Sequence, residues 1–144
     1  MNPIPFYITR EDHALVRLLL NAAHRSGATP ALERLRSELD HATLLDSAAI
    51  PPDVVTLGAC VQFEDLYSGE IEEYTLTLPD QADIAAGRLS VLAPVGTALL
   101  GYREGCIVEW PTPGGIRRLK IHRVTPRDTV SAGDTAAVAY IPWR

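Results

Sequence analysis

The sequence predicts an α+β fold: a short N-terminal antiparallel helical hairpin, followed by an antiparallel sheet built around one short helix. Three observations carry this. Apolar residues recur at helical spacing as far as about Ala48, the pair Pro51-Pro52 then interrupts the chain, and strand patterns with a single helical break occupy the rest. At 144 residues the chain has room for one ordinary domain and a small appendage. A content of 47% hydrophobic and 22% charged residues excludes a disordered chain. No apolar run approaches the ~20 residues that a membrane helix needs. The first residues lack the basic start, apolar core and small-residue site of a secretion signal.

Thr9 is placed to cap the first helix, with Glu11 and Asp12 at its positive end. Leu15, Leu18, Leu19, Ala22 and Ala23 then follow at helical spacing as the expected packing face. Ser26-Gly27-Ala28 ends that helix, Gly27 being suited to a left-handed exit, and Thr29-Pro30 opens the second with a cap and a proline at its first position. Leu32, Leu35, Leu39 and Ala42 form its apolar stripe. A loop this short makes the helices antiparallel. Residues 9–48 therefore read as a hairpin, with helices of about 17 residues, or roughly 25 Å.

Past Ile50-Pro51-Pro52-Asp53, strands are expected over Val55–Phe63, Tyr74–Leu78, Leu89–Leu92, Cys106–Trp110 and Ile116–Val124, with turns at Tyr67–Glu70 and Pro113–Gly115. Pro94–Gly101 reads as the one helix of this region. Asp134–Ile141 is a further strand or an extended tail.

Enzymatic signatures are missing. His13, His24, His41 and His122 show no metal-binding spacing, no serine lies in GxSxG, and Gly114-Gly115 lacks the lysine of a phosphate loop. Cys60 and Cys106 stand apart without CxxC spacing, which fits two buried thiols in a reducing cytoplasm. Glu70, Glu72 and Glu73 read as a solvated strand edge. Arg118, Lys120 and His122 read as the outer face of a strand. The net charge of −5, with five basic and six acidic residues between Thr9 and Ala48, argues against bare nucleic acid as the main partner.

The run Leu89-Ser-Val-Leu-Ala-Pro-Val-Gly-Thr-Ala-Leu-Leu-Gly-Tyr-Arg-Glu-Gly105 resembles the C-terminal domain of the Gre transcription elongation factors, which read I-S-x-x-S-P-x-x-x-A-L-x-G-x-x-x-G-D here. Thr112-Pro113-Gly114-Gly115 resembles that family's T-P-G-G turn. Pro52-Asp53-Val54-Val55-Thr56-Leu57 and the chain length are closer still to a branch of it, the regulators of nucleoside diphosphate kinase, which pair this domain with a short hairpin. The resemblance extends to about residue 125. It implies a Gre-type, FKBP-like C-terminal domain over 53–125, with 126–144 as an extension outside the pattern.

It further implies a bacterial RNA polymerase partner, held at the rim of the secondary channel through Leu92, Ala93, Pro94 and Val95. No cofactor, metal, membrane or sequence-specific nucleic acid is implied. Ala93 departs from the family's serine, Leu92 from the aspartate of some members, and Cys106 from the usual aspartate. Gre cleavage activity needs a D-x-x-E pair at the hairpin tip, where two carboxylates hold a magnesium ion. Here the tip offers Arg25 and Ser26, with Glu33 the nearest acid. The expectation is thus a non-enzymatic transcription regulator that occupies the Gre site without cutting RNA and affects nucleoside diphosphate kinase indirectly. Two alternatives stay open: a direct protein regulator of that kinase, and an FKBP-like peptidyl-prolyl isomerase. The isomerase would need an aromatic-lined pocket, whereas Phe6, Tyr7 and Trp143 lie near the termini.

Overall fold

The computed structural model describes residues 5–27, 29–112 and 114–126. The expected strand over Asp134–Ile141, and the extension as a whole beyond Pro126, lie outside them.

Helix α1 spans Arg10–His24, and the Thr9 hydroxyl accepts the Asp12 N–H at 3.1 Å as its cap. Gly27 then takes φ +116°, where a side chain would be strained, and the chain reverses. Helix α2 spans Pro30–Asp40, capped by Thr29, which accepts from Leu32 N–H at 3.2 Å. The two helices run back along each other. His13 meets the Leu39 carbonyl, Arg17 pairs with Asp40 at 2.8 Å, and Arg36 reaches Asn21. Hydrogen bonding to Arg17 holds the Asp40 carboxyl below its ordinary pKa.

Two expectations about this pair need correction. The helices have 15 and 11 residues rather than about 17, hence lengths of ~22 and ~16 Å. The buried face of α1 is Val16 and Leu20, with Leu19 and Ala23 half-buried; Leu15 and Ala22 are exposed, and Leu18 is 67% exposed. The run Leu15–Leu20 is apolar on both sides of its helix, so spacing alone admits either face. The stripe expected on α2 does face inward: Leu35 and Leu39 are buried, and Leu32 and Ala42 lie half-buried against them.

At the base of the pair, β1 (Tyr7–Thr9) and β2 (Thr43–Leu45) form a two-stranded parallel sheet that the sequence pattern does not reveal. Just before β1, Phe6 sets its ring edge-on to Tyr102, centroids 5.6 Å apart, and Tyr7 N–H donates to the Gly101 carbonyl. Phe6 and Tyr7 are thereby fastened to the middle of the chain.

The main sheet comprises β3 (Cys60–Asp65), β4 (Ile71–Thr77), β5 (Arg88–Ser90), β6 (Ile107–Thr112) and β7 (Gly115–Thr125), in the order β5-β4-β3-β7-β6. It is mixed rather than wholly antiparallel, because β5 joins β4 in parallel. Single 3-10 turns at Pro79–Gln81 and Ile84–Ala86 carry the chain back so that β5 enters in the direction of β4. The expected first strand begins late. Val55 gives its N–H to the Tyr102 carbonyl and accepts from Gly101 N–H, Gly58 and Ala59 exchange bonds with Leu76 of β4, and the regular ladder starts only at Cys60. Strand β7 carries a bulge. Gln62 faces Arg123 while Phe63 faces Ile121, leaving His122 extra.

Helix α3 (Pro94–Leu99) lies against α2, and α2 also meets β6. Val16, Leu20, Leu35 and Leu39 of the helix pair join Val55, Leu99, Leu100, Tyr102, Leu119 and Ile121 in one continuous core. The helix pair thus shares its core with the sheet. Among the described residues, no helix is long and apolar enough to cross a membrane.

Candidate functional site

The loop singled out in the sequence is a tightly bonded corner between β5 and α3. Val91 is buried and donates its N–H to the Thr77 carbonyl at 2.8 Å, anchoring the entry. Ser90 then organises the turn: its hydroxyl accepts Leu92 N–H at 3.0 Å, and its carbonyl accepts Ala93 N–H at 3.1 Å. Pro94 occupies the first position of α3, where its fixed φ suits the helix and its missing N–H is not needed. Thr97 donates its hydroxyl to the Pro94 carbonyl at 2.8 Å, and its own N–H goes to Ala93. Ala93, the cap residue, supplies no side-chain bond. Behind the loop, a Cβ on Gly96 would collide with the Ser90 carbonyl, so only glycine lets α3 approach β5 this closely.

Pro94 is exposed on this corner, while Leu92, Ala93 and Val95 are half-buried and rest on the core. The four residues form one apolar ledge, held in shape by the bonds that Ser90 and Thr97 make to its peptide groups.

The opposite candidate, the turn between the helices, gathers Arg25, Ser26 and Glu33 at one end of the pair, and all three are exposed. Arg25 N–H closes α1 on Ala22 and Ala23, and Ser26 N–H donates to Ala23. Glu33 stands in the first turn of α2, where a negative charge is favoured by the helix N-terminus. Among the described residues, no cluster of three or more His, Cys, Asp or Glu could hold a metal ion.

Other groups expected to be solvated find specific partners. Arg118 bonds Glu109 at 2.8 Å, and His122 meets Glu64 at 2.7 Å, so acids on β6 and β3 partner two of the three residues read as the outer face of β7. Cys60 and Cys106, expected to be buried, are only half-buried; Cys60 approaches Glu73 at 3.6 Å, and partial burial, aided by that carboxylate, pushes its thiol pKa up, away from reactivity.

Sequence reasoning missed the joint that ties α2 to the sheet. The Tyr102 hydroxyl donates to Glu38, with Arg34 close by. Burial first, and then the Glu38 carboxylate, raise the Tyr102 pKa well above that of a free tyrosine. Glu38 is an ordinary polar helix position in sequence, and no spacing links it to a tyrosine 64 positions away.

The chain belongs to the GreA/GreB family, whose description "Transcription elongation factor, GreA/GreB, C-term" matches residues 50–126. Across 105 residues it is 41% identical to the regulator of nucleoside diphosphate kinase of Escherichia coli (strain K12), covering 73% of this chain and 76% of that protein. It is also 41% identical over 102 residues to the transcription elongation factor GreA of Nitratidesulfovibrio vulgaris (strain DP4), covering 70% of this chain and 60% of that one. Among solved structures, a prokaryotic transcription elongation factor GreA/GreB from Nitrosomonas europaea aligns with TM-score 0.67 and 37% identity, over 86% of this chain and 99% of that one.

Proposed function

We propose that this protein is a transcription regulator that binds bacterial RNA polymerase at the rim of the secondary channel, the Gre site, and does not cleave RNA. Residues 53–125 act in this reading as an FKBP-like gripping domain, 9–48 as the short hairpin, and 126–144 as an extension. Contact is through Pro94 and the flanking Leu92, Ala93 and Val95, in the cytoplasm, without a cofactor.

The observation that carries the non-cleaving part is the composition of the helix turn. Glu33 is the single acid near Arg25 and Ser26, and one carboxylate does not supply the pair needed to hold a second magnesium and orient water. The ledge carries the binding part: a preorganised apolar corner loses little conformational entropy on docking. The name of the Escherichia coli relative favours a second reading, in which this chain regulates nucleoside diphosphate kinase by direct contact or through gene expression.

A binding titration with purified polymerase separates these. Wild type binds, and Leu92→Asp with Pro94→Ala, checked for fold by circular dichroism, binds at least several-fold more weakly because a new charge must be desolvated. On backtracked complexes the wild type releases no short 3′ RNA and reduces cleavage by an added Gre factor. Unchanged affinity in the folded variant moves the interface elsewhere; no binding to polymerase, with binding to the kinase, replaces the first reading by the second.

A further inference from the structure

At the far end of the sheet, away from the β5–α3 corner, the strand β4 has an open edge. Strand β5 covers only Thr75–Thr77. Leu76 N–H donates to Ala59 and Asp65 N–H to the Glu70 carbonyl, so even-numbered residues of β4 turn their peptide groups toward β3. By the two-residue period, Ile71 and Glu73 turn theirs outward, as Thr75 does where it bonds the Gly87 carbonyl. Among the described residues, nothing pairs with that outward side.

The turn leading into this edge is held by hydrogen bonds and presents apolar side chains to solvent. Asp65 accepts N–H groups from Tyr67 at 2.8 Å and Ser68 at 3.3 Å and is paired with Arg117. That guanidinium also lies 6.0 Å from the Tyr67 ring centre. Held in this way, Tyr67 is 89% exposed and Ile71 59% exposed, with Leu66 beside them. Glu70, Glu72 and Glu73, all exposed, border the same short stretch.

We propose that this edge is a docking surface for an extended, basic segment of another protein, which adds as a strand outside Ile71–Tyr74. The free peptide groups supply the ladder, Tyr67 and Ile71 the apolar contact, and the three glutamates the charge complement. A second copy of this chain fits poorly, because pairing two β4 edges would set these glutamates against each other. The chain's own residues 127–144 carry Arg127 and Arg144 against Asp128 and Asp134, with no net charge to offer. The surface is independent of the polymerase reading of the β5–α3 corner.

The test is residue-resolved amide hydrogen exchange on the full chain, with a blocked hexapeptide of alternating lysine and valine as probe and its glutamate–valine counterpart as control. The lysine peptide should slow exchange at Ile71 and Glu73 by roughly tenfold or more at saturation. The protection should fall as salt is raised, and should weaken in Glu70→Gln/Glu72→Gln/Glu73→Gln. The proposal is overturned if these two amides remain unprotected, or if the glutamate peptide protects them equally. It is overturned too if they already exchange slowly in the free chain, since the edge would then be occupied by the chain itself.

Discussion

The ring of Phe6 occupies the space that a side chain at Gly101 would need: a Cβ built there would lie 2.6–2.7 Å from the ring carbons. Gly101 also sits at φ +87°, which L side chains rarely adopt. Two residues almost a hundred positions apart thus require each other, and their contact holds the first strand to the end of α3.

Gly101→Ala should accordingly destabilise the fold by about 2–4 kcal/mol, from the left-handed backbone and the clash together. In the Phe6→Ala background the clash is gone and only the backbone strain is left. The double variant should therefore be more stable than the sum of the single effects allows, by about 1 kcal/mol or more. Urea denaturation of all four proteins measures this, and strict additivity would show that the contact is not formed.

Tyr102→Phe should cost about 1–2 kcal/mol near neutral pH, by leaving Glu38 without its buried donor. The pH dependence gives a second check. Folding raises the Tyr102 pKa above its ordinary 10.0, so the contribution is complete below pH 10 and is lost as pH rises beyond it. The stability gap between wild type and variant should narrow in alkaline denaturation series. A gap that widens above pH 10 would contradict the assignment.

Asp65 behaves in the opposite sense. Burial opposes its ionisation, but the Arg117 guanidinium and the N–H groups of Tyr67 and Ser68 outweigh that and lower its pKa below 3.8. Its contribution is therefore complete above pH 3.8 and disappears as pH falls through the lowered value. Asp65→Asn should lose about 1 kcal/mol at neutral pH. Its difference from wild type should vanish in acid, which thermal melts across a pH series would record.

Gly96→Ala tests the ledge. Its methyl group would strike the Ser90 carbonyl, which is backbone and cannot swing aside. A loss of about 1–3 kcal/mol is expected, as for other overpacked sites. Because Ser90 also orders Leu92 and Ala93, polymerase binding should weaken in the same variant. Full binding by a destabilised Gly96→Ala would show that the ledge geometry is not what the polymerase reads.

Much of the local structure was legible in the sequence because its causes are local. Thr9 and Thr29 cap helices through their own hydroxyls, Gly27 supplies the positive φ that reverses the chain, and Pro94 fits a helix start wherever it occurs. The loop Leu92 to Val95 was singled out by its resemblance to the family motif, and its turn is held by Ser90 next to it.

What tertiary structure decided are choices between local equivalents. Leu15–Leu20 offers two apolar faces, and only the presence of α2 and the sheet selects Val16 and Leu20 for burial. Val54-Val55 is as β-prone as a strand, yet the Val55 peptide groups bond Gly101 and Tyr102 instead of a ladder partner. The Tyr102–Glu38 bond and the Phe6–Gly101 contact join distant segments whose spacing has no period to detect. Sequence determines propensities within a few residues; which of two equally apolar surfaces meets the core depends on what the rest of the chain brings there.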